Sequence, residues 1–216
     1  MAMSRTIAKK VRGFSLIELI VVIGIVTAVS SIVLFNQSAF QNSILLGNLA
    51  YDVALSIREA QTYGISTRGT SSSLFTSAYG VHFSSDPNIN INNVPSVASY
   101  LLFADTVPVP PSDDGIYTSG ADQLVRILRL DGGYRIEKLC MTSAPEPERC
   151  SNDPNQDVWT ANVSFKRPDP DARIKVEFSP GTGFLPATNL KIFLQSPKGD
   201  TRYIEILETG QLSIEQ

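Results

Sequence analysis

Residues 19–51 contain no charged side chain, and across residues 14–51 the only charge is Glu18. A run this long without charge cannot be the solvated surface of a globular domain. Residues 14–35 read FSLIELIVVIGIVTAVSSIVLF. As a helix rising ~1.5 Å per residue, these 22 residues span about 33 Å, enough to cross a bilayer core of ~30 Å. Gly24, Ser30 and Ser31 are tolerated in such a helix, and no proline occurs before Pro87.

The charges that do occur are sorted along the chain. Residues 1–13 hold Arg5, Lys9, Lys10 and Arg12 and no acid. The whole chain is −3, so with those four positive charges set aside the remainder carries −7. A basic start ahead of an apolar run keeps the start in the cytoplasm and sends the rest across the membrane. An acidic exported part with a pI near 5.2 and no basic patch interleaved with aromatics gives no support for nucleic-acid binding.

Beyond the span the apolar pattern changes period. Residues 36–43 (NQSAFQNS) are polar and uncharged, and then Leu46, Leu49, Val53, Ile57 and Ala60 recur at helical spacing. The pattern predicts one helix from Phe14 to Tyr63, stopped at Gly64. At ~1.5 Å per residue it extends about 75 Å, more than twice a membrane, so its outer half must pack on something outside. After a Ser/Thr/Gly-rich linker at 66–73 the texture becomes β-like. Strands are expected at 79–84, 97–104, 123–130, 134–140, 158–166, 173–179, 190–195 and 202–207, with turns at Asp131-Gly132-Gly133, Pro180-Gly181 and Lys198-Gly199-Asp200. In 173–178, Arg173, Lys175 and Glu177 alternate with Ile174, Val176 and Phe178, the signature of a sheet with one buried face. Stretches 86–96 and 106–120 read as long loops. The expected class is α+β, a long N-terminal helix packed on an antiparallel β-sheet domain.

The sharpest motif is Gly13-Phe14-Ser15-Leu16-Ile17-Glu18-Leu19, between the basic leader and the span. It resembles the cleavage and methylation motif of type IV pilins and type II secretion pseudopilins, and with the apolar stretch the resemblance covers about 22 residues. The resemblance implies that a prepilin peptidase cuts between Gly13 and Phe14, that Phe14 becomes the N-methylated terminus, and that Glu18 is the family's assembly carboxylate. The residues are consistent with those roles. Glycine lets an enzyme hold backbone closely. A carboxylate in lipid costs ~2.5 kcal/mol or more at mid-span, less near an end, and calls for a partner. The amine released at Phe14, on the same chain or a neighbour, is the obvious one. Three other readings remain: Glu18 snorkelling to the interface, a signal peptide cleaved after Ala28-Val29-Ser30, and a plain signal anchor.

The exported part resembles the H-type pseudopilin and FimT-like minor pilins. The carriers are Ser56-Ile57-Arg58-Glu59-Ala60, Tyr79-Gly80-Val81-His82-Phe83, Tyr100-Leu101-Leu102-Phe103-Ala104-Asp105, and the closing segments 190–195, 202–207 and 209–214. Unlike many major pilins, the chain has no proline in its membrane helix. The resemblance implies a structural subunit in the inner membrane that later joins a filament. Its partners would be the prepilin peptidase, other pilin or pseudopilin subunits, the assembly platform and membrane lipid. The expected segments are a removed leader (1–13), a membrane and assembly helix (14–36), its outer half (37–64) and a β-rich exported domain (65–216). The competing reading is an anchored extracytoplasmic binding or adhesin domain that never enters a filament.

Little in the domain suggests chemistry, and no cofactor is expected. Cys140 and Cys150 should form a disulfide in an oxidising compartment, closing a short loop that contributes about 2–3 kcal/mol; two free thiols are the alternative. Two cysteines and one histidine are too few for zinc. His82 reads as a strand residue, not a base. Asp153, Asn155 and Asp157 sit at calcium-loop spacing, but Val158 and Ser164 occupy the positions that need glycine and the closing acid. Asp113, Asp114, Asp169 and Asp171 read as solvated loop acids, and Asn162-Val163-Ser164 is a glycosylation sequon inside an expected strand.

Overall fold

The structure, a computed structural model, describes residues 13–66, 69–70, 77–91, 94–106, 114–151 and 158–215. The chain divides into two compact units, Met1–Gln41 and Asn42–Gln216. The fold is α+β. One helix, α1 (Leu16–Ile65), is followed by thirteen strands among the described residues: β1 (Tyr79–Ser84), β2 (Asn90–Ile91), β3 (Val94–Pro95), β4 (Ser99–Ala104), β5 (Gln123–Arg129), β6 (Arg135–Thr142), β7 (Arg149–Cys150), β8 (Thr160–Lys166), β9 (Asp169–Glu177), β10 (Phe184–Ala187), β11 (Asn189–Gln195), β12 (Thr201–Leu207) and β13 (Leu212–Glu215).

In the first unit the apolar side chains of Leu16–Leu34 are exposed around the helix. Leu16–Leu34 is long and apolar enough to cross a membrane by length and composition, and none of it is buried within the protein. Two of its hydroxyls are bonded within the helix: Thr27 Oγ1 donates to the Ile23 and Gly24 carbonyls, each at 2.9 Å, and Ser31 Oγ to Thr27 O at 2.8 Å. Hydroxyls bonded this way add no unsatisfied polar group to an apolar surrounding.

In the second unit α1 is amphipathic. Leu46, Ala50, Val53, Ile57 and Ala60 are buried to 1 % exposure or less, and Gly64 continues the stripe. Leu49, expected on this face, is half-buried, because the stripe advances by 4, 3, 4, 3 and 4 residues and Ala50 takes the central position. The helix packs with two antiparallel sheets around one core. The six-stranded sheet has the order β10-β9-β8-β1-β4-β5 and the five-stranded sheet the order β13-β12-β11-β6-β7, while β2 and β3 form a separate small pair. Val81, Phe83, Leu102, Val163 and Val176 enter the core from the larger sheet, and Ile136, Leu139, Ile192 and Ile204 from the smaller. Strand β11 alternates in burial, with Leu190, Ile192 and Leu194 inward and Asn189, Lys191, Phe193 and Gln195 half-exposed.

Polar contacts tie α1 to both sheets. Ser56 Oγ and Tyr100 Oη lie 3.1 Å apart inside the core. Arg58 donates to the Gly210 carbonyl at 3.2 Å and Gln61 to the Pro170 carbonyl at 3.0 Å. Glu59 pairs with Arg126 on β5 and accepts from Tyr63 Oη at 2.5 Å.

Four expectations need correction. The stretch 86–96 is not all loop, because Asn90–Ile91 and Val94–Pro95 pair as β2 and β3. Gly64 does not stop the helix, which runs to Ile65. A Cβ at Gly64 would lie 2.3 Å from the Phe165 carbonyl oxygen, so glycine is there to let strand β8 approach. Strand β4 begins at Ser99 because Ser96–Ala98 form a 3-10 turn. Asp169 and Asp171 are not loop acids; they sit at the exposed start of β9. Strand β10, between Gly183 and Thr188, was not expected at all. Its Pro186 weakens a strand signal and is tolerated because β10 is a sheet edge.

Candidate processing and assembly site

The N-terminal motif is built outward from Ser15. The helix starts at Leu16, which makes Ser15 its N-cap, and the Glu18 backbone N–H donates to Ser15 Oγ at 3.3 Å. The Leu19 N–H closes the first turn on the Ser15 carbonyl at 3.2 Å. Serine at the cap with glutamate three residues on is the capping-box spacing. It satisfies one of the donors that a helix start leaves unpaired. Glu18 lies in the first turn, where the helix macrodipole favours a negative charge.

Gly13 and Phe14 are therefore outside the helix, and both are exposed, Phe14 at 81 %. No heavy atom lies within 4 Å of where a Gly13 Cβ would be. Nothing among the described residues thus demands glycine at this position. The helix begins two residues beyond Phe14, where the apolar run alone would start it. The Ser-x-x-Glu spacing was the signal that identifies it.

The domain's own polar groups are structural. His82 Nδ1 lies 2.8 Å from Asn162 Oδ1, its cross-strand partner, and that same oxygen accepts the Tyr117 N–H at 3.1 Å. Desolvation among the strands lowers the His82 pKa to about 4, with the Asn162 bond opposing it, so the ring is neutral at pH 7. Asn162 is wholly buried in β8, with no access for a glycosylating enzyme. Burial also raises the Tyr100 hydroxyl to about 12, against the Ser56 bond. Asp86 is held low, first by the Asn88 N–H and also by Trp159 Nε1, which donates to it at 2.8 Å.

Cys140 and Cys150 are joined in a disulfide and face each other across β6 and β7. With Glu148 they form the one cluster of possible metal ligands among the described residues. Both sulfurs are committed to the disulfide, so no thiolate remains to bind an ion. Asp153, Asn155, Asp157 and Asp113 lie outside the described residues.

A family model described as the prokaryotic N-terminal methylation motif matches residues 8–34. No curated protein and no solved structure matches the chain. The motif's family is structural and not enzymatic. Its presence implies processing by a prepilin peptidase and assembly with other pilins. A motif at the head of a membrane-length apolar helix fits a membrane-anchored protein that assembles into filaments, and it supports a type IV pilin-like protein.

Proposed function

We propose that this chain is a minor pilin or pseudopilin, a structural subunit of a type IV pilus or type II secretion filament. In this reading residues 1–13 are a leader kept in the cytoplasm, and 14–36 cross the inner membrane. Residues 37–64 carry the outer half of the helix, and 65–216 are the exported domain. The peptidase hydrolyses the Gly13–Phe14 bond. One water is consumed, leaving a carboxylate on Gly13 and an amine on Phe14; a sulfonium methyl donor then transfers its methyl group to that amine and leaves as a thioether, and the methylated amine keeps its positive charge.

The observation that carries the reading is the conjunction at one helix start. The matched motif, a non-helical exposed Gly13–Phe14 pair and a lone carboxylate at Glu18 come together where the helix begins, at the head of an apolar segment, Leu16–Leu34, that packs against nothing among the described residues. Glu18 is the only charge in a segment bound for lipid, so its most favourable state is beside a cation. The Phe14 amine of a neighbouring subunit supplies one. Pairing there sets the axial register between subunits and makes assembly, not the free subunit, the state in which both charges are satisfied.

Glu18→Gln tests this pairing. Glutamine keeps the side-chain geometry that suits the third helical position and removes the charge. The variant should be cleaved at Gly13 yet fail to enter filaments. Incorporation at the wild-type level would contradict the pairing. A precursor never cleaved at Gly13 would favour the anchored extracytoplasmic domain.

A further inference from the structure

We propose that Ser15 is a positioning residue for leader removal. Together with Gly13 it keeps the Gly13–Phe14 peptide bond out of the helix, where a peptidase can engage it. The inference rests on the processing reading above and adds to it the residue that determines where the helix begins.

Lipid makes this a real constraint. In an apolar surrounding every unpaired backbone group is costly, so a helix there tends to grow until something stops it. Upstream of the span, Ala8, Lys9, Lys10, Val11 and Arg12 contain no helix breaker, and Phe14 is not one. A helix propagating one more turn would take the Gly13–Phe14 amide into its hydrogen-bonded ladder. Proteolysis requires the backbone groups on both sides of the bond to be free to meet the enzyme.

Two residues oppose that growth, one on each side of Phe14. Gly13 is the poorest helix former in the segment apart from proline, which is absent. Its Cβ position is open among the described residues, so no packing contact there calls for glycine. Ser15 acts from the other side. By accepting the Glu18 N–H at 3.3 Å its hydroxyl takes the place of a preceding carbonyl, so the helix can begin at Leu16 with that donor satisfied. Glu18, in the first turn, favours the same start through its charge. The helix start at Leu16 and the scissile bond are thereby held two residues apart, with Phe14 and Ser15 between them.

The test uses the full-length precursor in lipid vesicles with purified prepilin peptidase, following cleavage by mass. Ser15→Ala should lower kcat/KM about fivefold, the factor that corresponds to a cap of ~1 kcal/mol. Ser15→Asn and Ser15→Asp, which cap as well as serine, should return the rate to within about twofold of wild type. Amide exchange supplies the structural readout: the Glu18 N–H should lose protection in Ser15→Ala and keep it in Ser15→Asn. Exchange and rate moving together support the inference. If Asn and Asp are cut as slowly as Ala while Glu18 stays protected, the enzyme reads the serine itself and the positioning role is overturned. If all three variants are cut at the wild-type rate, the inference fails and the processing reading survives. A wild-type precursor left uncut at Gly13 would overturn both.

Discussion

Residues 16–34 and residues 46–64 belong to the same helix, yet they solve opposite problems. The first segment is apolar around its whole circumference and exposes all of it. The second is apolar along one stripe, and that stripe is buried to 1 % exposure or less from Leu46 to Ala60. A striped helix has its partner in its own fold, here the two sheets of the β domain. A helix apolar all round requires an environment that is apolar all round, either lipid or a bundle of other helices. The difference separates what folding completes from what only a membrane or an assembly can complete.

Removing residues 1–41 tests the comparison at its largest effect. The shortened protein should leave the membrane fraction entirely and remain folded, because the apolar segment contributes on the order of 5 kcal/mol of insertion free energy and no domain core. A truncated domain still recovered with membranes would break the division.

Paired truncations sharpen it. Ile57→Ala empties a fully buried position and should destabilise the domain by about 3 kcal/mol, read by denaturant unfolding. Ile25→Ala, on the exposed half, should leave the same transition within ~0.5 kcal/mol. Gly64→Ala should behave as a core mutation despite adding a single methyl. Its Cβ would meet the Phe165 carbonyl at 2.3 Å, and a backbone shift costs about 1–3 kcal/mol.

Smaller effects are confined to the β domain. Reducing the Cys140–Cys150 disulfide should lower its stability by about 2–3 kcal/mol, visible as a shifted melting temperature with and without reductant. Acid should act through His82. Its pKa in the fold is about 4 against 6.5 unfolded, so below pH 6.5 the unfolded chain binds the proton first. Stability is complete above pH 6.5 and falls as the pH drops toward 4. The full shift is an upper limit because His82 keeps some solvent access, and a loss of up to about 2 kcal/mol is expected. His82→Gln should flatten this part of the pH profile.

What could be read from the sequence follows the same divide. The apolar span, the buried stripe and the long strands announce themselves because each repeats a period over many residues, and the strands around Val81, Val163 and Ile204 fall where the alternation places them. Single-residue devices are harder to see. Gly64 looks like a helix stop, but the backbone of a strand distant in sequence needs the space. Strand β10 and the short β2–β3 and β6–β7 pairings lack the length for a pattern, and their partners provide the register. At the N-terminal motif the Gly-Phe-x-x-x-Glu pattern stands out by its chemistry, whereas Ser15 shows itself as the helix cap only once the helix start is located.

The most direct measurement is the mass of the mature N-terminal peptide from the membrane fraction of cells that make this protein. The account predicts a chain beginning at Phe14 with one methyl group on its amine. A chain beginning at Ser31, or one retaining Met1, would contradict it, because the residue that is to pair with Glu18 would never have been made.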